Sequence, residues 1–175
     1  PAGVRMRVVL VETSHPGNIG SAARAMKAMG LTDLRLVAPE RFPDAEATAL
    51  AAGAADLLER ATVHGTLAEA LVGASRVYGS SARGRRVDWP PVTPREAAAE
   101  VAALPEGEVA LVFGPERTGL SNHDLDLCQR LIAIPTVADF SSLNLAQAVQ
   151  VIAYEVFTAR HARDSGQPRR GRRAS

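Results

Sequence analysis

Aromatic residues are scarce in this 175-residue chain, at 4%, which leaves little for a binder that stacks bases on aromatic platforms. Cys128 is the only cysteine, so an internal disulfide and a cysteine-based metal cluster are excluded. It reads as a small buried hydrophobe. No apolar run approaches a membrane span and no secretory signal opens the chain, so a cytoplasmic protein without membrane attachment is expected. The four histidines (His15, His64, His123 and His161) are scattered, and HExxH and CxxC spacings are missing, so no metal is expected. There is no G-x-S-x-G elbow for a serine hydrolase. The G-x-G-x-x-G fingerprint and the Gly-Lys-Ser/Thr phosphate loop are absent as well.

What is present suits one globular domain: 46% hydrophobic and 22% charged residues, in a chain long enough to bury a core. The net charge of +1 hides an asymmetry, because six arginines and one acid from Arg160 onward give +5 and leave −4 for the body. Lys27 is the only lysine, so arginine supplies the other nineteen of twenty basic side chains. Composition divides the chain into a domain over 1–161 and a flexible Arg-rich tail over 162–175. Such a tail suits phosphate contact, and it equally suits a solubilising end. The start at Pro1 is that expected of a processed or trimmed chain.

Strand and helix signals alternate. Residues 5–11 form a β-branched-rich strand stopped by Ser14-His15-Pro16-Gly17. From Asn18 the period changes, and Ile19, Ala22, Ala23, Met26 and Met29 share one helical face that ends at Gly30. A strand at 34–37 precedes an alanine-rich helical stretch from Ala45 to Leu58, softened at Gly53. A helix near 66–71 leads to a strand at 76–78. A Pro-rich connection then precedes a helix over 95–104. Strands at 109–113 and 131–135 flank a short helix near 122–128. In the last helix Leu145, Val149, Ile152 and Val156 make one inward stripe. This order predicts an α/β fold, a mostly parallel sheet with helices on both faces.

The polar loops at the carboxyl ends of these strands are where an open α/β sheet binds ligands. His15-Pro16-Gly17-Asn18-Ile19-Gly20-Ser21 opens a helix whose free N–H groups suit a phosphate or carboxylate, and Gly20 admits close approach by a backbone or a ligand. Arg24 lies one turn further on, either directed to the same end or simply a surface charge. Tyr78-Gly79-Ser80-Ser81-Ala82 leaves room for a flat ligand, and Arg83, Arg85 and Arg86 follow as a basic cluster suited to phosphate. Glu116, between Gly114 and Gly119, has three readings: an acceptor for backbone N–H groups, a partner of Arg24, or a base. Ser141, Ser142 and Asn144 could serve a ligand or cap the last helix with Gln147.

Taken in order, Asn18-x-Gly20-x-x-x-Arg24, Phe113-Gly114-x-Glu116-x-x-Gly119-Leu120 and Ile134 with Ser141-Ser142-Leu143-Asn144-Leu145 resemble the three motifs of the SpoU-type SPOUT RNA methyltransferases. The likeness runs from about Arg5 to the end of the last helix. Val9-Leu10-Val11-Glu12-Thr13-Ser14-His15 and residues 148–155 narrow it to a bacterial branch that methylates tRNA ribose. The resemblance implies a C-terminal trefoil knot, an exception to the unknotted rule, that binds S-adenosylmethionine. It implies that Ser80, Ser81, Ala82, Gly114, Ile134, Ser141, Ser142 and Leu143 line the cofactor pocket. It also implies a homodimer with the last helix in the interface and Arg24 reaching the partner's cofactor. The implied substrate is a ribose 2′-hydroxyl in RNA, for this branch cytidine or uridine at position 32 of the tRNA anticodon loop.

The family assigns the arginine matching Arg24 as the base. A guanidinium with a pKa above ~12 is a reluctant one, so the preferred reading has Arg24 orienting an RNA phosphate and the hydroxyl. Asn18, Glu116, Ser142 and Asn144 then hold Arg24 and the RNA backbone. The branch commonly carries a longer C-terminal extension, where this chain has its Arg-rich tail. The alternatives are a ribosomal RNA 2′-O-methyltransferase of the same family, an oxidoreductase that uses the Gly17–Gly20 loop for a nucleotide cofactor, and a non-catalytic RNA-binding protein.

Overall fold

A computed structural model describes residues 3–81, 90–138 and 143–165. Six strands, β1 (Val4–Val11), β2 (Asp33–Val37), β3 (Thr62–His64), β4 (Arg76–Ser80), β5 (Gly107–Phe113) and β6 (Arg130–Ile132), form one sheet in the order β3-β2-β1-β5-β4-β6. Every pairing is parallel. Among the described residues six helices lie between the strands, α1 (Pro16–Ala28), α2 (Ala45–Ala51), α3 (Ala55–Arg60), α4 (Leu67–Ala70), α5 (Pro94–Ala103) and α6 (Asn122–Asp126), and α7 (Leu145–Ser165) follows the last. The expected break near Gly53 is a 3-10 turn, Ala52–Ala54, between α2 and α3.

The helices cover both faces, as the alternation predicts. On one face α1, α2, α3, α5 and α7 pack with Val8, Leu10, Tyr78 and Leu111. On the other, Leu67 and Ala70 of α4 and Leu125 of α6 pack with Val9, Val11, Val77 and Val112. The period-2 alternation along β1 and β5 thus feeds two cores, which is why these strands read as continuous apolar runs. The predicted stripes are in place: Ile19, Ala22, Ala23 and Met26 are fully buried, and Leu145, Val149, Ile152 and Val156 nearly so. Cys128 is buried; burial, then the nearby Asp124 charge, pushes its thiol up to about 12. No helix among the described residues is long and apolar enough to cross a membrane.

Two expectations change. β3 is not among the strands the sequence predicts, being three residues at a sheet edge with Thr62 and Val63 exposed, so it lacks an apolar signature. The strand expected at 131–135 ends at Ile132, where β4 also ends at Ser80, and an isolated parallel bridge joins Ile132 to Val92 on its other side. α7 runs to Ser165. The tail from 166 onward lies outside the described residues.

Arginine organises the end of the sheet where the strands begin. Arg7, 3% exposed, donates to the Ala70 and Val72 carbonyls at 3.0 and 2.8 Å and pairs with Glu108. A cation is well placed at carbonyls that end a helix, here α4. Arg35 adds a second donor to the Ala70 carbonyl.

Gly20 sets the fit between α1 and α2. A Cβ there would stand 2.1 Å from the Ala47 carbonyl oxygen, and one on Gly17 would meet the Leu50 side chain at 2.6 Å. Of the approaches the sequence left open at Gly20, a neighbouring backbone makes it. Both glycines lie inside α1 and face α2, so the loop on which a nucleotide-cofactor oxidoreductase was based is a helix–helix contact. Gly20→Ala is expected to destabilise the fold by about 1–3 kcal/mol through overpacking, measured by urea unfolding. A change within ~0.5 kcal/mol would contradict this packing.

Candidate functional site

β1 and β5 are neighbours, with Leu10 beside Phe113, yet the chain leaves them toward opposite faces, into α1 and α6. A crevice opens where adjacent strands diverge in this way, at the carboxyl edge of a parallel sheet. Glu116 closes it from below. The Ser14 N–H donates to Glu116 Oε1 at 3.0 Å, and the His15 N–H donates to Oε2 at 3.0 Å. Asn18 Nδ2 donates to the same Oε2 at 2.8 Å.

These contacts answer a deficit in α1. Its N-cap, His15, makes no side-chain cap, and its first turn contains no acid. A helix start exposes free N–H groups and the positive end of the dipole. Here a carboxylate from the loop after β5, about a hundred residues further along the chain, fills the role. Partial burial works against the charged form, but the hydrogen bonds from Ser14, Asn18 and His15 outweigh it and hold the Glu116 carboxyl at about 2. Of the three readings for Glu116, the structure selects the acceptor. A carboxylate so stabilised, with both oxygens engaged, is poorly suited to serve as a base near neutral pH.

The loop carrying Glu116 is itself folded tightly. The Gly119 N–H donates to the Pro115 carbonyl at 2.9 Å, and Leu120 is buried in the second core. A Cβ on Gly114 would stand 2.4 Å from the Leu120 backbone nitrogen. Gly114 is therefore required by the loop's own backbone, whatever else it touches.

Arg24 is exposed on α1, and it is not bonded to Glu116, whose partners are Ser14, His15 and Asn18. Here Glu116 fixes the start of the helix that carries Arg24. Asn144 caps α7 reciprocally: its Oδ1 accepts from the Gln147 N–H at 2.8 Å, and Gln147 Oε1 accepts from the Asn144 N–H at 3.2 Å. The helix-cap reading therefore accounts for Asn144, leaving its Nδ2 for any other partner.

Four of the expected cofactor residues, Ser80, Ser81, Gly114 and Ile134, lie near one another through strand register. Ser80 pairs with Phe113 on one side and Ile132 on the other, so β4, β5 and β6 end level. Ser80, Ser81, Gly114 and Ala133–Ile134 form one contiguous rim there, and the Ser81 N–H donates to the Ile132 carbonyl. Ile134 is half-buried, beyond the end of β6, and packs against the larger core; Leu143 is half-buried just before α7. Ala82, Ser141 and Ser142, with the Arg83, Arg85 and Arg86 cluster, lie outside the described residues. The backbones of Ser14 and His15 were missed by sequence reasoning, since an N–H acceptor relationship leaves no side-chain signal.

Residues 5–154 match the model of the SpoU rRNA methylase family. The chain belongs to that family. It is 58% identical over 154 residues, 87% of this chain, to the tRNA (cytidine/uridine/adenosine-2′-O-)-methyltransferase TrmJ of Pseudomonas aeruginosa. It spans about 60% of the length of that curated relative. Among solved structures, a probable methylase family protein from Haemophilus influenzae superposes with a TM-score of 0.89 at 45% identity, over 97% of this chain and 72% of that one. TrmJ from Z. mobilis superposes with a TM-score of 0.83 at 44% identity, over 87% and 69%.

Glu116→Gln replaces an acceptor pair by one oxygen and an NH₂ that faces N–H donors. It is expected to cost about 1–2 kcal/mol at neutral pH, a value at the low end for a charged acceptor because the loop is only half-buried. The folded carboxyl titrates below its ordinary 4.5, so the stabilisation is present above that pH and disappears as pH falls toward about 2. Urea unfolding at several pH values should show wild type and variant converging in acid. A constant difference down to the folded carboxyl's midpoint would oppose the assignment.

Proposed function

We infer that this chain is the catalytic part of an S-adenosylmethionine-dependent RNA methyltransferase that methylates a ribose 2′-hydroxyl. Its substrate is tRNA, at cytidine or uridine 32 of the anticodon loop. The observation that carries this reading is the union of two features at one edge of the sheet. One is the Glu116 clamp on the start of α1; the other is the level rim at the ends of β4, β5 and β6. Likeness to the TrmJ relative supports tRNA over ribosomal RNA. Family membership supports the finer architecture: a trefoil knot involving the last strands and α7, and a homodimer in which α7 lies in the interface and Arg24 addresses the partner's cofactor.

The residues of the rim fit the cofactor chemically. Ser80 offers a hydroxyl at a level floor beside Ser81, and Ile134 and Leu143 offer apolar contact for a flat purine. When bound, the cofactor supplies a methyl group on a cationic sulfur. The protein's task is then to orient the ribose and accommodate the hydroxyl proton. Arg24 stays protonated and orients an RNA phosphate by paired N–H donors. The proton of the 2′-hydroxyl passes to that phosphate. Asn18, tied to Glu116, fixes the first turn of α1 and so the register from which Arg24 projects. Ser142 and Asn144 are assigned to hold the RNA backbone.

Arg24→Ala is expected to lower methyl transfer to tRNA by about 100-fold or more, while the Kd for S-adenosylmethionine changes less than about twofold. Labelled-methyl incorporation and calorimetric cofactor binding separate the two. A variant that stays active within a few fold, or one that loses cofactor affinity instead, would sink the role given to Arg24. Mapping of 2′-O-methyl groups in the tRNA product checks the nucleotide.

A further inference from the structure

We propose that Arg117 is a positioning residue that holds a backbone phosphate of the RNA at the mouth of the crevice; this rests on the reading of the protein as an RNA 2′-O-methyltransferase. Four strand arginines toward the edge where the strands begin are ion-paired: Arg5 and Arg7 with Glu108, Arg35 with Asp33, and Arg130 with Glu100. Arg117 stands at the opposite edge, just past the end of β5, and is exposed. Among the described residues no hydrogen bond or ion pair engages it.

Its setting is rigid. Glu116, the residue before it, is anchored by three hydrogen bonds to the β1–α1 connection. Two residues after it, the Gly119 N–H closes the turn onto Pro115, and Leu120 is buried. The neighbouring carboxylate is turned into the start of α1 and offers Arg117 no oxygen. A surface arginine usually sits on a mobile stem; here the backbone beneath it is pre-organised, which lowers the ordering cost of a contact.

The chemistry of the substrate supplies the partner. A ribose 2′-oxygen sits on the carbon next to the one bearing the 3′-phosphate, so a crevice that takes the hydroxyl also brings a phosphate to its mouth. A guanidinium matches phosphate oxygens bidentately. Arg117 from the β5 side and Arg24 from α1 then hold the backbone on either side of the Glu116 clamp.

The test uses the full chain, an unmodified tRNA transcript, and the variants Arg117→Ala, Arg117→Lys and Arg60→Ala. Arg60 ends α3, away from the crevice and near Asp56, and serves as the control. Arg117→Ala is expected to weaken tRNA binding about fivefold and to reduce the salt dependence of binding by about one phosphate contact. KM for tRNA rises, while kcat at saturating tRNA and the Kd for S-adenosylmethionine are unchanged. Arg117→Lys keeps the salt slope with part of the affinity, and Arg60→Ala behaves as wild type. An unchanged salt slope and KM in Arg117→Ala would overturn the proposal, as would a loss confined to cofactor binding. A wild-type chain that binds tRNA but transfers no methyl would defeat the functional reading instead, and the salt slope would still judge Arg117.

Discussion

One carboxylate holds the two halves of this crevice together. Glu116 enters from the β5 side and accepts from three donors at the start of α1, a helix whose sequence provides neither a side-chain cap nor an acid in its first turn. Each bond is ordinary in length. Their effect comes from convergence, because a charged acceptor meets a positive helix end in a half-buried place where screening by water is reduced. The position of α1 against β5, and with it everything α1 carries, depends on this contact.

The parallel sheet makes the contact possible. β1 and β5 lie side by side and their chains leave toward opposite faces, so the loop from each meets the other only at their shared carboxyl edge. The same topology aligns the ends of β4, β5 and β6. Polar groups that sequence places far apart thereby form one rim, while Gly17 and Gly20 let α2 close over the far side of α1. Charge follows the same division. Arg5, Arg7, Arg35 and Arg130 are paired with Glu108, Asp33 and Glu100, whereas Arg24 and Arg117 stand exposed near the crevice.

Much of this was legible in the sequence, and the failures have physical causes. α1, α7, β1 and β5 announce themselves because each has a sustained apolar period that burial then satisfies. β3 does not, since a three-residue edge strand buries too little to leave a pattern. The true end of β6 depends on where its pairing with β4 stops, at Ser80, which no local signal encodes. Gly20 looked equally ready for a ligand or a backbone; only the position of Ala47 decides. For Glu116 the residue type was informative, but its partners are two backbone N–H groups and an amide about a hundred residues away. The motif order pointed to the family, and its geometry had to come from the fold.

The direct measurement of the clamp is the titration of the Glu116 carboxyl itself, followed by carbon-13 NMR in selectively labelled protein. The account predicts a midpoint near about 2 and a chemical shift that stays flat from neutral pH down past the ordinary carboxylate range. A midpoint near the ordinary 4.5 would mean that the carboxylate is not held by Ser14, His15 and Asn18 in solution, and the architecture built on that contact would fall with it.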